Sequence, residues 1–580
     1  MNAPTMSGPA RLRETSVAVV GAGPAGLLLA LLLDRYGVPS VVFDAEDAED
    51  AEGTSAHRPY ATTHNARTME HYRRLGIAAP IRRLGLPAEH PTDIACFTRY
   101  GGHELTRLRQ PGTTELLRQA AAAPRTDQLP EPSHRAHQAD VDAFLYEHAC
   151  SRPNITVRPG WRITALTQNA RQVTLHAERP DHPAEDWTAR YAVACTGGGS
   201  AVRRALGGRR TGPGPRGHRG AARPVTAARL RLPTFHREVC TGERAWSYWA
   251  VNPDLVLQLV ALNGEDEFCL VADLTAVTVG ADPATPAGIA DLVRRAAGRP
   301  LPVEVIGHRS WTPAAPPATQ PFRKGRLLLI GDVAPLPTPT GGFGLNTGAD
   351  AAANLAWKLA AVLRGWGGPR LLATYESERR PVALRNTAAA RELAEGPADI
   401  ERPPDLEADT ASGAAARDRT GHLLRRHAEH IRSPGVQLGA RYDGSPIVAP
   451  DPEAEPPGDS WGTYTPTSIP GGRAPHLWLD DWHGPGSSLF DRLGPWFTLL
   501  RLGPEPPGAK PLQAAAQAHG MPLTVLDIDL PAARDLYERD LVLIRPDQHV
   551  AWRGNQLPTD PGDLVARVTG AGPHQPGRPV

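Results

Sequence analysis

Three glycines and one acid near the start of the chain have the residue types and spacing of a site for phosphates and a ribose. Gly21, Gly23 and Gly26 stand between two apolar runs. In such a pattern the first glycine permits a tight turn, the second lets backbone N–H groups approach a pyrophosphate, and the third lets a helix pack on the strand. Asp44 ends the next apolar run, where a ribose-binding acid is expected. The pattern predicts a dinucleotide-binding βαβ unit, and not a glycine-rich turn in an ordinary βαβ unit.

A second constellation changes the predicted ligand from an unspecified dinucleotide to a flavin. The apolar run 326–330 ends at Gly331 and Asp332, and the glycine-rich segment 341–348 then opens a helix. A carboxylate at a strand end can bind a sugar-like hydroxyl chain. The positive N-terminal end of a helix stabilises an anion, and a reduced flavin carries one at N1 of its ring. A nicotinamide dehydrogenase is disfavoured because this second motif would have no role in it.

With both constellations the chain resembles the class A flavoprotein monooxygenases, which are FAD-dependent aromatic hydroxylases of the para-hydroxybenzoate hydroxylase type. It looks most like their branch of phenol, chlorophenol and polyketide hydroxylases. The resemblance spans nearly the whole chain and is carried by residues 21–26, Asp44, 61–70, Gly331, Asp332, 341–346, 354–359, 466–478 and 545–553. It implies an α/β fold with a doubly wound, Rossmann-like FAD-binding domain, an inserted β-sheet substrate domain, and a C-terminal thioredoxin-like α/β domain without redox cysteines.

The resemblance also implies roles for individual residues. The FAD pyrophosphate would lie against Gly21, Gly23, Pro24, Ala25 and Gly26. Asp44 would contact the adenosine ribose, Gln138 would contact the flavin side of the cofactor, and Asp332 would contact the ribityl chain. Arg58 would replace an arginine that the family usually has nearby. The isoalloxazine ring would be lined by Gly341, Gly342, Gly344, Leu345 and Asn346. No protein nucleophile is expected and no catalytic residue is assigned, although the loop with Pro339, Gly341 and Gly342 would face the flavin.

Length and composition shifts predict several domains, because 580 residues exceed what one core usually holds. The FAD-binding domain is predicted to be discontinuous and to comprise residues 1–90, 137–212 and 321–395. The substrate-binding sheet domain would comprise residues 91–136 and 213–320. Residues 396–435 are predicted as a linker and residues 436–580 as the thioredoxin-like domain, in which the run 540–552 is predicted to form a hairpin around Pro546 and Asp547. The Pro-, Ala- and Arg-rich segment 109–136 is predicted to be a mobile loop.

The implied reaction inserts one oxygen atom of O₂ into an aromatic or polyketide-like small molecule through a C4a-hydroperoxyflavin, with NADPH or NADH as reductant. Two alternatives stay open. One is a Baeyer–Villiger or ring-rearranging flavin oxygenase. The other is a flavin-scaffold enzyme without net redox turnover, because Thr196, Gly199 and Pro335 depart from the family pattern. A general base is not assigned, since the candidates His57, Tyr60 and His64 are only polar residues near a predicted flavin loop.

The net charge and the cysteine content argue against several other classes of protein. The 63 basic and 62 acidic residues give a net charge of +1, which leaves no basic excess for binding nucleic acid. Five scattered cysteines without a Cys-x-x-Cys pair predict a reducing, cytoplasmic location and no metal site. The apolar N-terminal run lacks a basic flank and is interrupted by glycines, so no membrane segment is predicted. The expected partners are the small-molecule substrate and O₂, in a monomer or homodimer.

Overall fold

The computed structural model describes residues 13–46, 63–123, 129–195, 205–206, 225–273, 282, 285–311, 321–330, 342–395, 400–480 and 486–572. The strands in chain order are β1 (Arg13–Val20), β2 (Ser40–Phe43), β3 (Thr63–His64), β4 (Ile94–Phe97), β5 (Glu104–Leu108), β6 (His134–Arg135), β7 (Ile155–Arg158), β8 (Arg162–Gln168), β9 (Val173–Glu178), β10 (Glu185–Ala194), β11 (Val225–Arg231), β12 (Ser247–Val251), β13 (Val256–Ala261), β14 (Glu267–Asp273), β15 (Glu304–Trp311), β16 (Arg323–Lys324), β17 (Leu327–Leu329), β18 (Phe497–Leu502), β19 (Leu523–Ile528), β20 (Leu541–Ile544) and β21 (Val550–Gly554).

The helices in chain order are α1 (Pro24–Arg35), α2 (Ala66–Arg74), α3 (Ala78–Arg82), α4 (Thr113–Ala122), α5 (Gln138–Cys150), α6 (Pro286–Ala297), α7 (Phe343–Leu363), α8 (Ala373–Glu395), α9 (Ala411–Arg432), α10 (Pro434–Leu438), α11 (Leu489–Arg492), α12 (Lys510–His519), α13 (Pro531–Tyr537) and α14 (Pro561–Val568). A single π-helical turn spans Phe235–Val239. Within the described ranges no helix is both long enough and apolar enough to cross a membrane.

The first sheet forms around the apolar N-terminal strand. β1 pairs in parallel with β2 and β10, and the order continues to β7 on one side and to β17 and β16 on the other. Val17 and Val19 pack into one core with α1 and α7, whereas Ala18 and Val20 pack into a second core on the other face. A parallel sheet covered on both faces requires strands that are apolar throughout. The predicted doubly wound α/β architecture is confirmed.

The second sheet has seven strands in the order β15-β11-β14-β13-β12-β4-β5. Its pairings are antiparallel except for β12 with β4, and α6 packs on it with the apolar side chains of Ile289 and Val293 buried. The segment predicted as a linker contributes to the same core, because α9 packs along β5 and buries Leu424 and Ala428. Similarly, 113–122 form α4 within the predicted mobile loop, since the alanines that suggested low complexity also favour helix.

The C-terminal sheet has four strands in the order β19-β18-β20-β21. β18 pairs in parallel with β19, and α12 lies between them in the chain. β20 and β21 form the antiparallel hairpin that the sequence predicts around Pro546 and Asp547, which is confirmed. This domain packs on the domain of the first sheet through a shared apolar core, in which the ring of Phe497 meets that of Trp357 edge-on at 5.7 Å.

A buried carboxylate ties the C-terminal domain to α7 and α8. Glu378 is 2% exposed, and its two oxygens accept hydrogen bonds from both terminal nitrogens of Arg545 at 2.8 and 2.9 Å. The same carboxylate accepts from Lys358 at 2.6 Å, Asn354 at 2.8 Å and Ser445 at 2.6 Å. Burial raises the pKa of Glu378, but Arg545 and Lys358 outweigh burial and hold that pKa well below its usual range.

Two further buried acids extend this connection to α2. Asp350 of α7 accepts hydrogen bonds from Arg67 and Arg379, at 3.3 Å from the former. Glu70 of α2 pairs with Arg67 at 2.7 Å and with Arg473 of the C-terminal region at 2.6 Å. Charges removed from water are tolerated only when they are paired and hydrogen-bonded. The ion pairs therefore specify one arrangement of α2, α7, α8 and the C-terminal domain.

Replacing Arg545 with methionine should destabilise the protein strongly, because Glu378 and Asp547 would lose their bidentate partner inside the core. Breaking a buried pair on one side costs on the order of 3–5 kcal/mol. The matched control is Arg295→Met, which removes a half-exposed pair with Asp291 on α6 and should cost roughly 0.3–0.5 kcal/mol. Urea denaturation followed by tryptophan fluorescence measures both, and equal losses for the two variants would contradict the role given to Arg545.

Candidate functional site

The first glycine turn has the geometry of a phosphate cradle. β1 ends at Val20, Gly21 adopts φ +113°, and α1 begins at Pro24 with Gly23 as its N-cap. A Cβ on Gly26 would lie 2.0 Å from the carbonyl oxygen of Gly21, so only glycine permits this contact between helix and turn. A Cβ on Gly23, by contrast, would meet nothing within 4 Å. The turn is therefore tight on its protein side and open at Gly23.

The start of α1 can bind an anion. Its N-cap is a glycine without a side-chain hydrogen bond, and its first turn has no acidic residue. The backbone N–H groups of a helix's first turn lack intrahelical partners and attract negative charge. Pro24 and Ala25 are partly exposed at this position, next to the open approach at Gly23. These residues fit a pyrophosphate.

Asp44 lies against the same turn. It follows β2, and its carboxylate accepts hydrogen bonds from the backbone N–H of Ala22 at 2.6 Å and of Glu46 at 3.0 Å. The acid thus lies beside the phosphate cradle, as expected for a group that meets a ribose next to a pyrophosphate. Its contact with the ribose stays a prediction.

The second glycine-opened helix, α7, begins directly after Gly342. Gly342 is the N-cap of α7 and adopts φ +66°, and a Cβ there would lie 3.0 Å from the Cβ of Thr63. Gly344 and Leu345 are partly exposed in the first turn, which carries no acid and no side-chain cap. This helix start is packed against β3 at Gly342 and can be reached by an electron-rich ring at Gly344 and Leu345.

The side chain of Asn346 has a structural role that the sequence did not reveal. Its oxygen accepts hydrogen bonds from the N–H of Asn65 at 2.9 Å and from the hydroxyl of Thr68 at 2.6 Å. Its amide nitrogen donates to the carbonyl oxygens of Thr63 at 3.0 Å and of Gly342. These four bonds use the amide's usual capacity. Asn346 therefore fixes the start of α7 against β3 and α2 through its side chain.

The remaining residues that the sequence predicts at the site are either bound within the protein, buried, or outside the described residues. Gln138 is the first residue of α5 and donates to Asp142 at 3.1 Å. His64 is fully buried, and burial lowers its pKa to about 3, which does not suit an accessible general base. Several predicted residues lie outside the described residues, namely His57, Arg58, Tyr60, Thr196, Gly199, Asp332, Pro335, Pro339 and Gly341.

A cavity of about 320 Å³ adjoins the start of α7. It lies between the β3–β6 ribbon, α4, the end of β5 and the junction of α9 with α10. Its apolar walls include Phe343, Leu116 and Ile431, and its polar walls include Arg135 and Gln110. The sequence did not single out Arg135, because it is one of many arginines in a chain with only three lysines.

The fold and these two helix starts define a dinucleotide-binding flavoprotein. A family model of the FAD-binding domain matches residues 14–390, and a model of the C-terminal region of aromatic-ring hydroxylases matches residues 467–571. The chain belongs to this family of FAD-dependent aromatic-ring hydroxylases. The resemblance inferred from the sequence is confirmed, and so are the assignments as an FAD-dependent monooxygenase with FAD as cofactor and NAD(P)H as co-substrate.

Three similar proteins illustrate the relationship. A solved structure of the rebeccamycin biosynthetic enzyme RebC with reduced flavin is 34% identical, covers 97% of this chain and 100% of that chain, and superposes with a TM-score of 0.82. The FAD-dependent monooxygenase apdD of Emericella nidulans is 29% identical over 98% of this chain and 92% of its own. The 2,4-dichlorophenol 6-monooxygenase of Delftia acidovorans is 28% identical over 96% and 98%.

The difference between Gly23 and Gly26 can be tested with two alanine variants. Gly23→Ala should leave the free energy of unfolding within about 0.5 kcal/mol of the parent, because its Cβ meets nothing in the protein. Its FAD affinity should fall at least about tenfold, or about 1.4 kcal/mol, because the cofactor's pyrophosphate needs that space. Gly26→Ala should destabilise the fold itself by roughly 1–3 kcal/mol. Denaturation curves and FAD titrations measure both, and normal FAD binding by Gly23→Ala would show that the cradle is assigned wrongly.

Proposed function

We propose that this monooxygenase hydroxylates an aromatic or polyketide-like small molecule in the cavity beside α7, with O₂ as the oxygen source. The supporting observation is the position of that cavity, which begins at Phe343, the first residue of the glycine-opened helix. The relatives that match over most of their length include a dichlorophenol monooxygenase, which supports an aromatic substrate. NADPH or NADH supplies the electrons.

In the proposed reaction FAD, when bound, supplies electron transfer from the nicotinamide and activation of O₂. The chain's own residues bind and orient. The N–H groups at the start of α1 would hold the pyrophosphate, with Asp44 on the ribose and Gln138 near the flavin side of the cofactor. The positive end of α7, at Gly344 and Leu345, would stabilise negative charge on the reduced ring. The apolar side chains in the cavity wall, Phe343, Leu116 and Ile431, would keep water away from the part of the substrate that receives oxygen.

A second outcome is retained because of the likeness to RebC, a biosynthetic enzyme whose structure was determined with reduced flavin. The family pattern changes at Thr196 and Gly199, in a segment that the family ordinarily uses for FAD and the nicotinamide, and at Pro335. A Baeyer–Villiger or ring-rearranging oxygenation, or a flavin-scaffold reaction without net redox turnover, would use the same cavity. Hydroxylation is preferred because the family model that matches the C-terminal region is that of aromatic-ring hydroxylases and because a chlorophenol monooxygenase matches 96% of the chain.

The organisation and location of the protein complete the proposal. We assign 1–90, 137–212 and 321–395 to the FAD-binding domain, 91–136 and 213–320 to the substrate domain, and 436–580 to the C-terminal domain. Segment 396–435 connects them and carries α9. The five cysteines all lie in the described ranges and none forms a disulfide, which is typical of a reducing cytoplasm. The protein would act as a monomer or homodimer.

Turnover of purified holoenzyme under ¹⁸O₂ tests the proposed function. The oxidation of NADPH, and separately of NADH, should accelerate when members of a panel of phenols and polycyclic polyketide phenols are added. Mass spectrometry should find one ¹⁸O atom in the product as a hydroxyl group. A lactone product would instead indicate Baeyer–Villiger chemistry. Product formation without net nicotinamide oxidation would contradict the proposed function and favour the flavin scaffold.

A further inference from the structure

One arginine is built into the wall of the cavity beside α7. β3 and β6 form a short antiparallel ribbon that places Arg135 opposite Thr63, and the guanidinium donates a hydrogen bond to the Thr63 hydroxyl. Its carbon atom lies 3.8 Å from the centroid of the Trp246 ring, on the neighbouring sheet domain. A guanidinium stacked on an indole has its plane fixed while its edges stay available for hydrogen bonds.

The positive charge of Arg135 has no counter-charge in the described part of the chain. No described carboxylate lies within ion-pair distance of it, and the charged residues that line the cavity are Arg135 and Arg432, without an acid. The adjacent ribbon residues His64 and His134 are buried, and burial lowers their pKa values to about 3 and about 4, so both are neutral at pH 7. Burial also lowers the pKa of Arg135, to about 10, which leaves it protonated.

A second donor lines the same cavity without a partner. The amide nitrogen of Gln110, which follows β5, is buried and has no hydrogen-bond partner among the described residues. Buried donors in folded proteins are normally satisfied, and those that are not often await a ligand or water. The cavity wall therefore includes one fixed cation and one residue with an unsatisfied donor, among mainly polar neighbours to which Phe343, Leu116 and Ile431 add apolar surface.

We propose that this cavity selects an aromatic substrate that carries a carboxylate, and that Arg135 binds the carboxylate. This inference rests on the proposed function and specifies its substrate class. The planar guanidinium matches a carboxylate in a bidentate pair, and the side chains of Phe343, Leu116 and Ile431 offer apolar surface to the rings. Gly344 and Leu345, which would meet the flavin, do not line the cavity, whereas Phe343 does. The cavity thus adjoins the expected position of the flavin ring. The substrate would supply the negative charge that pairs with Arg135.

The test compares two ligands of nearly equal shape on the oxidised holoenzyme, without turnover. The ligands are 2-naphthoate and 2-naphthamide, and calorimetry gives both affinities while absorbance at 450 nm gives the FAD content. The parent protein should bind the carboxylate at least about tenfold more tightly than the amide. Arg135→Gln should bring that ratio close to one with unchanged FAD content, and Arg135→Lys should retain part of it. Arg118→Gln, which alters an exposed arginine on the cavity-lining helix α4, should leave the ratio unchanged.

Two results would overturn the proposal. One is equal binding of both ligands by the parent protein, which needs no variant to fold. The other is loss of FAD from Arg135→Gln or Arg135→Lys with the ligand ratio preserved, which would assign the guanidinium to the cofactor. Either result leaves the proposed function standing if ¹⁸O is still incorporated into a phenol. Conversely, a protein that shows the ligand preference but no oxygen incorporation would refute the proposed function alone.

Discussion

The burial of charged side chains along α7 is the constraint on which the rest of the structure depends. Asp350, Asn354 and Lys358 recur every four residues on this helix and are all buried. Each needs a partner from elsewhere, because a buried charge without an ion pair, or a buried amide without a hydrogen bond, is costly. The partners come from α2, from α8 and from the C-terminal domain, in the form of Arg67, Glu378 and others. The helix can therefore be buried only when all these parts are assembled.

This constraint matters because the same helix begins at the cofactor site. The first turn of α7 is held by the four hydrogen bonds of Asn346, and its middle is held by the ion pairs of Glu378. α1 packs along α7, so the two helix starts are rigidly related. Fixed dipoles stabilise developing charge better than groups that must reorient. The C-terminal domain, which has no cysteine, thus supports α7 through these ion pairs.

The sequence predicted the parts of the site that depend on local backbone chemistry. The positive φ of Gly21, the close packing at Gly26 and the position of Asp44 beside the turn follow from residue types at fixed spacing, and the structure shows all three. The β20–β21 hairpin was predictable for the same reason. These features are decided within a few residues of the chain, where steric and hydrogen-bonding rules act directly.

Features that depend on residues far apart in the chain could not be predicted from the sequence. Asn346 was predicted at the flavin, yet its side chain bonds to β3 and α2, about 280 residues away in the chain. The segment predicted as a linker contains α9, a mainly polar helix that buries Leu424 and Ala428 against the second sheet. Arg135 became significant only when folding placed it over Trp246 and away from every described acid. Composition and spacing carry no information about such pairings.

A crystal structure of the protein with FAD tests the central claim most directly. The account predicts one FAD molecule whose pyrophosphate accepts hydrogen bonds from the first turn of α1 at Gly23, and whose ring ends at the first turn of α7 beside Phe343. A flavin bound elsewhere, or one that touches only one of the two glycine-opened helices, would contradict it.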